Sequence, residues 1–146
     1  FFTGNVPENF KNYFESPHKG DKKIILICSD SLDNLYKRFG RHLAMKGYAI
    51  ESSDRDFLTI KTTLRATSKW NYSYFLNAVI ENKSVIITAQ WKLNNSFVAG
   101  TRESGFFDWE YNNDKTSGLS VNINSLVYTD LMSYLADFER VNIRYQ

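Results

Sequence analysis

Two neighbouring segments near the middle of the chain alternate between apolar and polar residues. Apolar residues stand at every second position from Trp70 to Ile80 and again from Val85 to Leu93, as in strands with one buried face. A two-residue turn at Asn82-Lys83, where Asn tolerates a positive φ, joins them into a hairpin. The turn places five apolar pairs opposite each other: Tyr72 with Leu93, Tyr74 with Trp91, Leu76 with Ala89, Ala78 with Ile87 and Ile80 with Val85. A slip of one residue would lose every match, so the pattern predicts the register too.

A period near 3.6 predicts a first helix after a buried strand. Its apolar stripe is Leu32, Leu35, Tyr36, Phe39 and Leu43. Any of the three preceding residues can cap it: Ser29, Asp30 or Ser31. Gly40 also lies on the stripe, which indicates close packing on a sheet, and Gly47 is placed to end the helix.

The same period predicts a second helix over 125–143, with Asn124 or Ser125 as its cap. Its apolar stripe is Val127, Leu131, Tyr134, Leu135, Phe138 and Val141. Both helices therefore have one apolar side that can cover a sheet.

Shorter apolar runs predict the other strands. They are Ile24 to Cys28, a strand around Tyr48 and Ile50, a strand with Leu58, Ile60 and Leu64 on one face, and a short strand within 107–111. Strands and helices in this order predict an α+β fold, with a curved antiparallel sheet of about five to six strands and two main helices on one face. The other face meets water or a partner.

The length suggests a single domain covering 1–146. Within it we distinguish an N-terminal arm (1–22), a core of strand, helix and meander (23–93), an irregular segment containing aromatic residues (94–124) and the C-terminal helix (125–143). In the arm, Pro7 suits the start of a short helix, and Pro17 and Gly20 end it.

Composition narrows the classes of partner. The net charge is only +2, so we expect no nucleic-acid partner. No run approaches the ~20 apolar residues of a transmembrane helix. The chain begins at Phe1 without Met and shows no signal peptide, which leaves room for a removed export signal or a lipid anchor upstream.

An acidic group at Glu51, Asp54 and Asp56 is the first candidate for chemistry. A hard cation needs several oxygen ligands on a shaped loop, and here the turn has no glycine and no second acidic cluster follows. Alternation also places Glu51 on the polar face near Lys61. We therefore interpret the group as a solvated hairpin tip, with metal binding or acid–base catalysis as the alternative.

The chain has few side chains that commonly serve as a nucleophile or a general base, with one cysteine and two histidines. His18 and His42 have no partner visible in the sequence, and Cys28 lies in an apolar run where a buried thiol is the usual role. No phosphate-binding glycine loop, zinc spacing or nucleophile elbow is present. The sequence therefore predicts no catalytic residue, no metal site and no cofactor.

The best candidates for binding are the aromatic residues Phe106, Phe107, Trp109 and Tyr111. Flat aromatic side chains serve both sugars and protein partners. The alternative is that these four residues cover an edge or an end of the sheet.

A family resemblance rests on the run from Leu35 to Thr63. Its residues are Gly40, Arg41, Leu43, Gly47, Tyr48, Ile50, Glu51, Asp54, Arg55 and Ile60. The run resembles the helix–strand–strand unit of helix-grip, or TATA-binding-protein-like, domains in bacterial envelope lipoproteins. It is also similar to small domains of unknown function in exported proteins of gut bacteria. The resemblance covers about 30 of the 146 residues and departs from the pattern at Leu58, where relatives often have a glycine in the turn.

This resemblance implies a helix-grip fold and a place in the periplasm or at the outer membrane. The leading hypothesis for function is a non-catalytic, exported or envelope-associated module that binds a protein or another envelope component. The second is a small-ligand or glycan binder that uses a cavity between helix and sheet, or the aromatic segment 106–111. The third, an enzyme, rests on the scattered carboxylates and histidines.

Overall fold

An antiparallel sheet with two helices forms the part of the chain that the computed structural model describes, which is residues 16–67, 71–94, 105–112 and 122–146. The helices are α1 (Leu32–Met45) and α2 (Ile123–Leu135). The strands are β1 (Ile24–Ile27), β2 (Ile50–Asp54), β3 (Thr59–Thr62), β4 (Arg65–Ala66), β5 (Tyr72–Glu81), β6 (Ser84–Leu93), β7 (Phe107–Asp108) and β8 (Asn142–Tyr145). The predicted α+β class with an antiparallel sheet is confirmed.

The hairpin of β5 and β6 has the predicted register. All five predicted apolar pairs, from Tyr72 with Leu93 to Ile80 with Val85, face each other across the two strands. The turn differs in one detail, because the positive φ of 60° belongs to Lys83. The apolar sides of the two longest strands thus form one continuous surface.

Both helices pack on that apolar surface. Their buried residues are Leu35, Phe39 and Leu43 of α1, and Ile123, Val127, Leu131 and Leu135 of α2. Gly40 lies over β3, where a Cβ would be 3.4 Å from Ile60 Cδ1, so the expected close approach to the sheet is present. Gly47 ends α1 with a φ of +89°, and the backbone N–H of Tyr48 donates to Leu43 O as in a Schellman motif.

The sheet runs in the order β2-β3-β5-β6-β1-β8, with β4 beside β5 and β7 beside β6. β1 pairs with the first half of β6, and β7 pairs with Gln90 and Trp91 farther along the same edge. Among the described residues, β2 and β8 are therefore the outermost strands. The eight strands exceed the expected five or six because the two-residue β4 and the C-terminal β8 were not foreseen, whereas β7 lies within the short strand expected in 107–111.

The prediction of a helix over 125–143 is wrong at both ends. Asn122 is the N-cap, its side chain accepting from the N–H of Ser125, and the helix ends at Leu135. The guanidinium of Arg140 donates to the carbonyls of Ala136 and Phe138, which satisfies backbone groups after the last turn. The chain then turns into β8, which pairs with β1. Val141, the last member of the predicted stripe, is half exposed.

The predicted apolar face of the third strand is only partly correct. Ile60 is buried, but Leu64 is 43% exposed because β3 ends at Thr62 and the chain resumes pairing in β4. Buried Thr62 takes the inner position instead, where its hydroxyl accepts from the N–H of Leu76. Trp70 and the arm residues 1–15, with their predicted helix, lie outside the described residues.

The two glycines of the α1 region give a matched test of backbone geometry. We expect Gly47→Ala to lower the free energy of unfolding by about 1–2 kcal/mol, because its φ of +89° is strained for an L-residue. Gly40→Ala should raise it by up to about 1 kcal/mol through helix propensity, since the end of Ile60 can yield to the new methyl. Urea denaturation measures both. Equal effects of the two substitutions would contradict the geometry.

Candidate functional site

Trp109, one of the four predicted binding aromatics, lies in the core. It is 1% exposed, and its ring stacks on Tyr128 of α2 with 6.0 Å between centroids. The indole Nε1 donates to Asn124 O over 2.9 Å, and the backbone N–H donates to Ala89 O. Trp109 therefore joins α2 to the sheet and has no face for a ligand.

Tyr111 also belongs to the packing. It is half-buried, and its ring meets Tyr128 edge-on at 5.0 Å. Its backbone O accepts from the N–H of Gly20, and its N–H donates to Asp21 O. For these two residues, the interpretation as a cover for one end of the sheet describes what the structure shows.

Phe106 and Phe107 remain about half exposed, but they lie on opposite faces of β6. Phe107 stacks on Trp91 at 4.8 Å, on the face that carries the helices. Phe106 contacts Phe75 edge-on at 5.3 Å, on the other face, with the ammonium of Lys92 5.6 Å from its centroid. The four aromatics thus form no common surface.

Asn124 is the residue that sequence reasoning missed in this region. Its Oδ1 accepts from Trp91 Nε1 and from the N–H of Glu110, while its backbone O accepts from Trp109. From the sequence, Asn124 was predicted only as a possible cap of the second helix. A clue was available, since a buried tryptophan N–H needs an acceptor and an amide side chain near a helix start can provide one.

The acidic group stands at the tip of the β2–β3 hairpin. Glu51 forms the expected ion pair with Lys61 at 3.1 Å. Asp54 Oδ1 accepts from the N–H groups of Asp56 and Phe57, which is an Asx turn. These carboxylates are exposed and are used in turn formation and in surface pairing.

The two histidines contact other groups than the carboxylates of this tip. His18 is exposed, with Nδ1 3.8 Å from an Asp21 carboxylate oxygen. His42 Nε2 lies 2.7 Å from Tyr134 O and 3.5 Å from Asp137 Oδ1. Neither histidine side chain hydrogen-bonds to any of the carboxylates at the hairpin tip.

Cys28 is buried at the end of β1, and burial raises the pKa of its thiol above the ordinary value. A raised pKa leaves little thiolate at neutral pH, so the thiol is a poor nucleophile. In the described ranges, no three His, Cys, Asp or Glu side chains converge as metal ligands. In those same ranges, neither helix is long and apolar enough to cross a membrane.

The strongest candidate for a binding site is a groove of about 270 Å³ between α1 and the edge of the sheet. Gly40 lets the groove reach Ile60, because a side chain at this position would stand over it. Ile50, at the start of β2, is 37% exposed and adds apolar surface. The lining residues are Tyr36, Lys37, Gly40, Arg41, Ile50, Ser53 and Ile60, and we call this feature the α1/β2 groove.

The edge beside this groove is unusual for its exposure. All five residues of β2 are exposed, and within the described ranges this strand pairs only with β3. The register of that pair shifts between Ile50 and Ser52, which marks a β-bulge. A bulge bends an edge strand and disfavours regular addition of another strand. Regular strand pairing is therefore disfavoured at this edge, and the groove is its main concave feature.

A buried polar chain lies at the other end of α1. Tyr74 donates its hydroxyl proton to Asp130 of α2, and the hydroxyls of Tyr48 and Tyr74 are 2.7 Å apart. Since Tyr74 has one proton and gives it to Asp130, Tyr48 must be the donor to Tyr74. These two hydrogen bonds link the segment after α1, the centre of the sheet and α2.

Arg65 closes this chain from the solvent side. Its Nε is 3.7 Å from Asp130, Nη1 donates to Gly47 O, and Nη2 donates to the hydroxyl of Tyr134. The guanidinium also lies over the rings of Tyr134 and Tyr48, with distances of 4.4 Å and 5.0 Å to the centroids. A single cation thus satisfies several partners at once, which suits a structural brace.

Tyr48, Tyr72 and Tyr74 keep their hydroxyl protons at neutral pH. Burial is the main cause that raises the pKa of Tyr48 and of Tyr74, and burial together with the charge of Asp130 raises the pKa of Tyr72 to about 12. A general base or acid works best with a pKa near the operating pH. The cluster therefore stabilises the fold and is poorly suited to proton transfer at neutral pH.

Comparison with known proteins gives no family. No family model, no curated protein and no solved structure matches the chain. The α1/β2 groove and the contacts around it are thus the basis for a functional argument.

The brace at Arg65 can be tested by removing its charge while keeping its length. We expect Arg65→Met to lower the free energy of unfolding by about 1–3 kcal/mol, because hydrogen bonds to a charged group are lost within a partly buried site. Arg55→Met is the matched control. Its ion pair with Asp33 is mostly exposed, and we expect a change within about 0.5 kcal/mol. Urea denaturation at neutral pH measures both, and equal effects would contradict the assigned role.

The raised tyrosine pKa values predict alkaline sensitivity. Unfolded tyrosines lose their proton near pH 10, whereas Tyr72 in the folded protein does so near 12. The stability is therefore fully present below about pH 10 and falls as the pH rises towards 12, since the unfolded chain then binds fewer protons. The free energy of unfolding in urea should be lower at pH 11 than at pH 9. Tyr72→Phe should reduce this difference, and a pH-independent stability would contradict the burial argument.

Proposed function

We propose that the chain is a non-catalytic binding module that holds a short segment of a partner protein in the α1/β2 groove. The observation that carries the proposal is the groove itself, where Gly40 has no side chain to cover the floor at Ile60 and where Ile50 is partly exposed beside the edge strand β2. An apolar pocket with a few polar groups at its rim is the usual setting for a buried anchor side chain.

The size of the groove favours a side-chain anchor over a free ligand. Sites that enclose drug-sized ligands occupy about 300–1,000 Å³. The α1/β2 groove has about 270 Å³ and is open to solvent, so it can cover one large side chain but not a whole lipid or an oligosaccharide. A larger concavity of about 550 Å³ is lined by the single segment 136–143 and lies away from this groove.

The two alternative functions have less support. A glycan site in 106–111 would need the aromatics on one surface, and they are divided between the core and two faces of β6. The enzyme hypothesis needs the histidines beside the carboxylates of the hairpin tip, whereas His18 pairs with Asp21 and His42 lies beside Tyr134 O and Asp137. The thiol of Cys28 is buried.

We also propose, from the sequence resemblance, that the fold is of the helix-grip type and that the protein is exported or associated with the bacterial envelope. The placement of α1 and α2 on one face of an antiparallel sheet supports the fold proposal. The proposed location, with a lipid anchor upstream as one form of it, rests on the resemblance of the 35–63 run alone.

A selection from a phage library of random 12-residue peptides tests the binding proposal. We expect the immobilised protein to enrich peptides whose binding is lost in Gly40→Leu, which fills the groove from α1, and in Ser53→Trp, which fills it from β2. Two variants from different elements guard against a folding defect in one, and thermal unfolding verifies both.

Val79→Trp is the matched control, since it adds bulk at an exposed position on the opposite face of the same sheet. It should leave binding unchanged. Failure to enrich any peptide, or enriched peptides that bind both groove variants as well as the wild type, would overturn the proposal.

A further inference from the structure

We infer that the segment held in the α1/β2 groove is acidic and carries one large apolar side chain as its anchor. This inference rests on the proposed function and adds the chemistry of the partner. It follows from two features of the groove, which are the charge on its helical wall and the shape of its floor.

The helical wall of the groove is positively charged. Lys37 and Arg41 are one turn apart on α1, and both line the groove. Arg41 is exposed, and no carboxylate among the described residues lies within ion-pair distance of it. Residues four apart on a helix face the same side, so both cations can reach one ligand.

One carboxylate offsets part of this charge. Asp33, a further turn along α1, lies 3.1 Å from Lys37 Nζ and 3.1 Å from Arg55 Nη2. Arg55 stands between two aspartates at the hairpin tip, so its charge is offset there. The charged residues that line the groove are Lys37 and Arg41, both positive, and Asp33 pairs with the first of them. Arg41 is left as a positive charge without a carboxylate partner among the described residues, which makes an acidic segment the electrostatic complement of this rim.

The floor of the groove is apolar. Ile60 is buried at its base, Ile50 is partly exposed at its side, and Tyr36 adds part of an aromatic ring. The bulge in β2 disfavours a long run of backbone pairing, so an anchor side chain has to supply much of the affinity. An acidic segment without such an anchor would gain only exposed ion pairs, which are weak.

Three short peptides test the two features separately by NMR titration of the ¹⁵N-labelled protein. They are Ac-Glu-Asp-Phe-Glu-Asp-NH₂, the same peptide with Gly in place of Phe, and Ac-Lys-Lys-Phe-Lys-Lys-NH₂. We expect the first peptide to shift the amide signals of residues 36–41 and 50–53. It should bind at least about tenfold more tightly than the Gly peptide, which lacks the buried apolar side chain. It should also bind at least about tenfold more tightly than the Lys peptide, whose charge is opposite. The affinity of the first peptide should fall as salt is raised.

Charge reversal provides the decisive variant. Lys37→Glu combined with Arg41→Glu should reduce binding of the acidic peptide by at least about tenfold and improve binding of the basic one. The matched control is Lys22→Glu combined with Lys23→Glu, the same change of charge at exposed positions beside β1, separated from β2 by three strands. It should leave the acidic peptide's affinity nearly unchanged.

The outcomes separate this inference from the binding proposal. Equal binding of the acidic and basic peptides, or peptides from the random library that are neutral or basic and still need an open groove, would overturn the acidic inference alone. No shift at the groove amides with any peptide, together with a failed selection, would overturn both. A thymidine decanucleotide that shifts the same amide signals and binds as tightly as the acidic peptide would also overturn the inference of an acidic protein segment. The groove would then bind polyanions in general.

Discussion

The pairing of β5 with β6 determines the rest of the structure. Its register places Tyr72, Tyr74 and Leu76 and their cross-strand partners on one face of the sheet. Both helices pack on this face. A shift by one residue would turn this surface outwards and leave α1 and α2 without an apolar partner. The groove depends on it as well, because β3 pairs with β5 and thereby places Ile60 beneath Gly40.

The polar contacts around this core tie distant segments together at its two ends. At one end Tyr48, Tyr74 and Asp130 form a hydrogen-bonded chain under Arg65. At the other, Asn124 receives hydrogen bonds from the aromatic segment and from β6. Buried donors need partners to avoid a desolvation penalty, so both groups serve the fold first. That leaves the α1/β2 groove as a surface that the core does not need.

Local patterns predicted what depends on local physics. The hairpin register, the end of α1 at Gly47 and the Glu51–Lys61 pair all followed from periodicity or from a residue with a known turn preference. The end of α2 did not, because Phe138 and Val141 fit a helical stripe although the chain after Leu135 leaves the helix to pair with β1. That choice depends on a strand more than a hundred residues away, which no local window contains.

The candidate site was hard to predict for a related reason. The aromatics of 106–111 were predicted as a binding surface from their composition, yet the burial of Trp109 depends on Tyr128 and Asn124 of α2, a separate element that the local pattern around Trp109 does not include. The groove combines residues 36–41 of α1 with two residues of β2 and one residue of β3. Gly40 and Ile60 were both singled out from the sequence, but only their contact in three dimensions shows that the glycine opens a concave surface.

We propose that a partner segment inserts a side chain between α1 and β2. Isotope-filtered NOE spectroscopy tests it directly, with a library-selected peptide bound to protein that carries labelled isoleucine methyl groups. We expect intermolecular NOEs from the peptide to the methyl groups of Ile60 and Ile50. NOEs confined to Ile25 and Ile86, which pair with each other across β1 and β6, would contradict it.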